Sequence, residues 1–302
     1  ELLANSNNPP ITPYMYKLIV EINSGGVNMK NFGLLIVILL LAGTMLSSTL
    51  VIKGSNTVYP VAQLWAEGFK AMNPDVEISI EGAGSSTGIK ALFNGQTDIA
   101  NSSRWIKASE IEQMNREGKY FIPYVVAYDG IAIIVNKSLG ISNITIQQLF
   151  DIYSGKITSW NQIDSSLPKA RIVPLSRDNA SGTFEYFVEH VMKGEKFAPQ
   201  VQQLASTRAE VEQVMQNQYA IGYIGMGYIT EEVKALTVEG VEPTVANVNA
   251  GSYPISRPLF MFVDATNGLP TGVTGEFLRY ALSPEGQAAV LSVGYVNAYG
   301  TK

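Results

Sequence analysis

The sequence predicts an α/β protein of two lobes built on largely parallel sheets. Three observations carry this reading. Strand-like and helix-like runs alternate from Thr49 onward. The chain has 302 residues, 46% of them hydrophobic, which is enough for a large core and for two lobes. Three short loops share one design: Gly54-Ser55-Asn56-Thr57, Gly82-Ala83-Gly84-Ser85-Ser86-Thr87-Gly88 and Arg177-Asp178-Asn179-Ala180-Ser181-Gly182-Thr183. Each follows a strand-like run and opens a segment of helical apolar spacing.

The elements follow in order. Thr49 to Ile52 is the first strand-like run, and Val61, Leu64, Trp65, Gly68, Phe69 and Met72 form one helical face closed by Asn73-Pro74. Val76 to Ile80 is the second strand, with half-buried alternation over Glu77 to Glu81. Ile89, Leu92 and Phe93 lie on a short helix ended by Asn94-Gly95. Ile131 to Val135 is a continuous apolar run, as a buried parallel strand requires. Ile146, Leu149, Phe150 and Tyr153 mark a helix ended by Ser154-Gly155. Arg171 to Leu175 is a strand, and Phe184, Phe187, Val188 and Val191 carry the helix after the third loop. Tyr219 to Ile224 is a strand, and Phe277, Leu278, Ala281 and Leu282 share a helix near the end. There is no internal repeat or long linker, so the lobes are not strung end to end.

Composition excludes several functions. Net charge is -5 with pI about 5.1 and there is no basic stripe, so no nucleic-acid partner is expected. Without cysteine there is no disulfide, thiol catalysis, thiolate metal site or lipid-anchored N-terminal cysteine. The single histidine, His190, excludes a multi-histidine metal centre, and no cofactor is expected. Met29-Lys30-Asn31, the apolar run Leu34 to Ala42, then Gly43, Thr44, Ser47 and Ser48 have the layout of an export signal. Removal is expected near Ser47 to Thr49, with retention as an uncleaved anchor as the alternative. Residues 1–28 precede a plausible initiator methionine and are expected to be a non-native upstream extension without a folded role.

The three loops have a chemical reading. A helix N-terminus leaves N–H groups unpaired and carries the positive end of the helix dipole. Glycine lets the backbone approach closely, and Ser and Thr add hydroxyl donors. One such loop is weak evidence, because Ser and Thr are ordinary N-caps. Three of them, one with an arginine four residues before its serine, point to an oxyanion site.

From about Val51 onward the chain resembles the periplasmic phosphate-binding proteins of high-affinity phosphate ABC importers. The three loops carry the likeness, with Asp98-Ile99-Ala100-Asn101-Ser102-Ser103-Arg104, Ser154-Gly155-Lys156-Ile157-Thr158-Ser159-Trp160, Ala220-Ile221-Gly222-Tyr223, Tyr253-Pro254-Ile255-Ser256-Arg257-Pro258 and Ser283-Pro284-Glu285-Gly286-Gln287. Their order and spacing are more specific than any one piece. The resemblance implies a two-lobed type II periplasmic binding-protein fold, with phosphate between the lobes. Hinge crossings would fall near Val125 to Gly130 and Val245 to Pro254. Lobe 1 would comprise residues 49–127 and 252–302, and lobe 2 residues 128–251.

The resemblance also implies site residues. Arg177 and Ser181 match the family's arginine and serine ligands, with Gly182 and Thr183 at the next helix start. An arginine fork suits two phosphate oxygens; the bland alternative is an Arg177-Asp178 surface pair and a Ser181 cap. Thr57 and Ser85 resemble the first-loop and second-loop ligands, and Ser86 could assist. Ser103 stands where well-known members carry an aspartate that accepts the proton of bound phosphate. Asp129, in Tyr128-Asp129-Gly130, is a candidate replacement, steadied by Arg104, against an Asx-turn at the hinge. Arg104 could otherwise contact phosphate directly. The expected function is periplasmic or otherwise extracytoplasmic capture of inorganic phosphate by a monomer, without catalysis, and delivery to an inner-membrane phosphate ABC permease. A receptor for sulfate, molybdate or another tetrahedral oxyanion is the alternative.

Overall fold

The structure, a computed structural model, describes residues 49–300. The expected upstream extension and export segment, residues 1–48, lie outside the described residues. The first third alternates as expected: β1 (Thr49–Gly54), α1 (Tyr59–Met72), β2 (Glu77–Gly82), α2 (Ser85–Phe93) and β3 (Ile99–Ser102). Then come α3 (Ala108–Glu117), the long β4 (Phe121–Asn136), β5 (Asn143–Ile144), α4 (Ile146–Tyr153), β6 (Val173–Arg177), α5 (Gly182–His190), β7 (Gln202–Leu204) and α6 (Thr207–Gln216). The remainder is β8 (Ala220–Gly225), β9 (Val233–Ala235), β10 (Thr237–Val238), α7 (Val245–Asn249), β11 (Ser256–Asp264), α8 (Gly272–Ala281), α9 (Pro284–Ser292) and β12 (Val296–Asn297).

One sheet path runs β2-β1-β3-β11-β4-β8-β6-β7. Its two ends are parallel: β1 pairs with β2 and β3, and β6 pairs with β7 and β8. The middle is antiparallel, because β11 returns between β3 and β4, and β4 pairs with β8. This corrects the expectation of a parallel partner for Ile131 to Val135. That run is apolar because both its faces are buried, and burial says nothing of strand direction.

β4 gives the chain two halves. Residues 121–130 pair with β11, and Ile131–Val135 pair with β8. The first half carries β1, β2, β3 and β11; the second carries β6, β7 and β8. The return segment lies beside this passage, since Ile131 N–H donates to Ile255 O at 2.7 Å and Tyr253 Oη donates to Ile131 O at 2.8 Å.

Helix faces follow the apolar spacing. α1 buries Val61, Ala62, Trp65 and Phe69, while Leu64 and Met72 are exposed. Trp65 Nε1 donates to Gly286 O at 2.7 Å, and Phe69 meets Phe277 edge-on at 5.4 Å, so α1 packs on α8 and α9. In the second half Phe187 of α5 stacks on Tyr223 of β8 at 3.9 Å. The strand-to-helix order thus puts the N-termini of α1, α2 and α5 at the ends of β1, β2 and β6.

Candidate functional site

The three loops meet. Gly84 caps α2 with φ 103°, a conformation other residues rarely adopt, and a Cβ there would lie 2.5 Å from Ala180 O of the third loop. Ser86 N–H donates to that same oxygen at 3.1 Å. A Cβ on Gly182 would lie 2.4 Å from Ser85 Oγ and 2.8 Å from Ser103 Oγ. Ser103 N–H donates to Ser85 Oγ at 3.1 Å. Thr57 Oγ1 and Thr183 Oγ1 are 3.0 Å apart. Thr57, Ser85, Ser103, Gly182 and Thr183 are therefore gathered in one buried place from four segments of the chain.

At its centre is an arginine not expected from the sequence. Arg257, only 2% exposed, reaches from β11. Its Nη2 donates to Thr183 Oγ1 at 2.9 Å and to Thr57 Oγ1 at 3.3 Å. Its Nε and Nη2 lie 3.1 and 2.9 Å from Asp129 Oδ2. Its Nη1 is buried with no hydrogen-bond partner among the described residues. Such an orphan donor is costly unless something accepts from it. Arg257 stands inside the quoted Tyr253-Pro254-Ile255-Ser256-Arg257-Pro258 stretch. A lone cation between Ser256 and Pro258, just ahead of the apolar run Leu259 to Val263, was the available signal.

Asp129 is fully buried and is the register partner of Arg257 across β4 and β11. Its Oδ1 accepts from Met226 N–H at 3.0 Å, so it is not an Asx-turn residue bonded to its own loop. Burial raises its pKa to about 6, although Arg257 and the Met226 N–H both pull it down. The partner expected for it, Arg104, is elsewhere. Arg104 pairs with Glu110 through Nη1 and Nη2 at 2.9 and 2.7 Å. It also donates to Trp105 O and Ser86 Oγ, at 2.8 and 3.0 Å. Its Nε forms an ion pair with Glu185 at 2.6 Å, at an angle outside that of a hydrogen bond. Every nitrogen of Arg104 has a protein neighbour, so it neither steadies Asp129 nor has a nitrogen left over for an anion.

The remaining expected residues are each engaged. Ser86 Oγ donates to Glu185 Oε1 at 2.8 Å. Ser181 Oγ accepts from Thr183 and Phe184 N–H at 3.2 and 3.3 Å as the N-cap of α5, which leaves its proton free to donate. Arg177 turns its guanidinium to the loop before α6: Nε to Leu204 O at 3.1 Å, Nη1 to Thr207 Oγ1 at 3.0 Å and Nη2 to Ala205 O at 2.8 Å. These take one N–H of each nitrogen, and one remains on each Nη. It is 1% exposed, so the surface-pair alternative with Asp178 does not hold. Behind it lies Glu210, fully buried, its Oε1 accepting from Tyr223 N–H at 2.8 Å and its Oε2 without a partner among the described residues. Among the described residues no group of three or more His, Asp or Glu could hold a metal.

Hydroxyls, helix N-termini and a buried cation between the halves of an α/β sheet define a binding protein for a small anion. The model of the PBP superfamily domain matches residues 42–285. The phosphate-binding protein PstS of Staphylococcus epidermidis is 34% identical over 253 residues, 81% of this chain and 77% of its own. The protein SphX of Synechococcus elongatus is 31% identical over 80% of this chain and 75% of its own. A Clostridium perfringens crystal structure with bound phosphate, assigned to a phosphate ABC transporter as its substrate-binding protein, superposes with TM-score 0.77. It is 36% identical and covers 83% of this chain and all of its own. An ABC-type phosphate transport receptor from Vibrio cholerae has TM-score 0.67 at 29% identity, covering 82% of this chain and 98% of its own. The chain belongs to the PBP superfamily and, within it, to the family of the PstS proteins, with their two-lobed type II fold.

Proposed function

We infer that this chain captures inorganic phosphate between its halves, outside the cytoplasm, and delivers it to an ABC permease. The single observation that supports this most is the convergence of Thr57, Ser85, Ser103, Gly182 and Thr183, with Arg257 bonded to Thr57 and Thr183 and its Nη1 without an acceptor among the described residues. In this reading residues 49–127 and 252–302 form lobe 1 and residues 128–251 lobe 2. Thr57, Ser85, Ser103 and Thr183 give hydroxyls, and Ser85 and Gly182 give the N–H groups that begin α2 and α5. Ser181 contributes its proton and Arg177 its two remaining N–H groups. Arg257 supplies charge, and Asp129 holds it in place.

Asp129 also gives a basis for selectivity. Phosphate near neutral pH still carries a proton and sulfate does not, so a buried carboxylate penalises sulfate more. A micromolar dissociation constant corresponds to about 8 kcal/mol, which a few charge-assisted hydrogen bonds of about 1.5–3 kcal/mol supply before ordering costs. Binding is the whole activity: His190 is stacked on Tyr186 at 3.8 Å, with its Nδ1 3.1 Å from Tyr186 O, and is not a base for Ser181. Export by the segment 29–48 and function as a monomer complete the reading.

The test is calorimetry on the mature region with phosphate, arsenate and sulfate. Phosphate is expected to bind at micromolar concentration or below, with sulfate much weaker. Asp129→Asn is expected to weaken phosphate and cut the phosphate-over-sulfate ratio about tenfold, or about 1.4 kcal/mol. Sulfate binding as tightly as phosphate to the wild type would overturn the reading in favour of a general oxyanion receptor.

A further inference from the structure

A second buried polar cluster joins the two halves beside the anion site. Glu185, on α5 of the second half, is its hub. Its Oε2 lies 2.6 Å from Arg104 Nε and its Oε1 2.6 Å from Lys107 Nζ. Ser86 Oγ donates to the same Oε1 at 2.8 Å. Arg104, Lys107 and Ser86 all belong to the first half. Arg104 is anchored there by Glu110, which takes both its Nη nitrogens and also accepts from Lys107 N–H at 2.8 Å. The side chains of Arg104, Glu110 and Glu185 are only 5, 15 and 17% exposed; that of Lys107 is 43% exposed.

Two cations and two anions thus balance, and three of the four are shielded from solvent. Coulomb attraction between shielded groups is much stronger than on an open surface. Glu110 holds the Arg104 guanidinium from its own half, so Arg104 does not depend on Glu185 alone for its position. Arg104, Lys107, Glu185 and Arg257 line one cleft of about 560 Å³, so the cluster shares a wall with the anion site.

We propose that Glu185 is a clasp: by docking between Arg104 and Lys107 it holds the halves closed and sets how long the anion stays. The Glu185 N–H donates to Ser181 O at 3.1 Å as the first turn of α5, but its carboxylate meets the anion site through Ser86, the neighbour of Ser85, so Glu185 is a positioning residue. The proposal rests on phosphate capture between the halves for its kinetic arm only. Opening is required for release and for entry, so loss of the clasp speeds release and leaves entry unchanged or faster. A group that merely supported the fold would weaken binding without that split.

The experiment uses the mature chain, its Glu185→Gln variant, and Lys107→Met as a second variant whose side chain is partly exposed and safer for folding. Phosphate association and dissociation are followed by stopped flow, and the ligand-free proteins by small-angle scattering. Glu185→Gln is expected to raise the dissociation rate about tenfold or more, as loss of one partner from a desolvated pair does, with the association rate not reduced. Lys107→Met is expected to act in the same direction and less strongly. The double variant is expected to fall short of the product of the two effects. Ligand-free Glu185→Gln is expected to have a larger radius of gyration than wild type. If the wild type binds phosphate, a dissociation rate within twofold of wild type in both variants overturns the clasp. Should the wild type bind no phosphate, the phosphate reading falls by itself and scattering decides: expansion supports the clasp, and an unchanged radius overturns it.

Discussion

A buried guanidinium, Arg257, and a buried carboxylate, Asp129, face each other across β4 and β11. Breaking such a pair by removing one member leaves an uncompensated charge, at a cost of about 3–5 kcal/mol. Arg257→Met is therefore expected to destabilise the fold as well as abolish anion binding, with thermal unfolding and calorimetry reading the two losses separately. Glu210 gives a cleaner pH test. Burial pushes it up to about 8 from its ordinary 4.5. Between those values the folded chain keeps a proton that the unfolded chain has released, so stability falls as pH rises through that window and levels off above it. Glu210→Gln is expected to remove a penalty of a few kcal/mol at pH 8.5 and to change little at pH 4.5. Unfolding free energies at the two pH values check this; an equal effect at both would refute it. The loops that bring the hydroxyls of Thr57, Ser85 and Thr183 together were legible in the sequence as three strand-to-helix turns of one design. The sequence could not show the pairing of Asp129 with Arg257, 128 residues apart, because only the register of β11 on β4 puts them opposite.

Helix starts are the elements that matter most to the site. Ser181 caps α5 with its Oγ on two N–H groups, and Ser181→Ala is expected to cost about 1 kcal/mol of stability even without ligand. Gly182 permits the approach of α5 to Ser85 and Ser103, so Gly182→Ala is expected to lower phosphate affinity more than Ser181→Ala does, as calorimetry would show. The helices α1, α2, α4 and α5 were legible from apolar spacing and turn residues. The charged α3 was not, since it buries no residue fully and its apolar face is only Ile111 and Met114, of which Met114 packs partly buried. β11 was also unread as a strand, since Arg257 and Pro258 interrupt its pattern; across the ladder Asp129 pairs with Arg257 and Tyr128 stands opposite Pro258.

For the whole molecule, any ligand that binds only the folded state stabilises it by an amount that grows with the logarithm of its concentration. Phosphate at a hundred times its dissociation constant is expected to add about 2.7 kcal/mol, read as a rise in melting temperature that sulfate does not reproduce. The two-half plan was legible from chain length and from the family likeness. The antiparallel centre of the sheet was not, since strand direction leaves no trace in a run as uniformly apolar as Ile131 to Val135. That centre has a mechanical consequence. β4 passes from one half to the other as a single extended strand, flanked there by Tyr253 and Ile255, with no flexible linker between. Separation of the halves then has to be torsion of a paired ribbon, which resists and recoils, rather than free swinging about a joint; amides around Gly130 and Ile131 should exchange with deuterium slowly even in the open form.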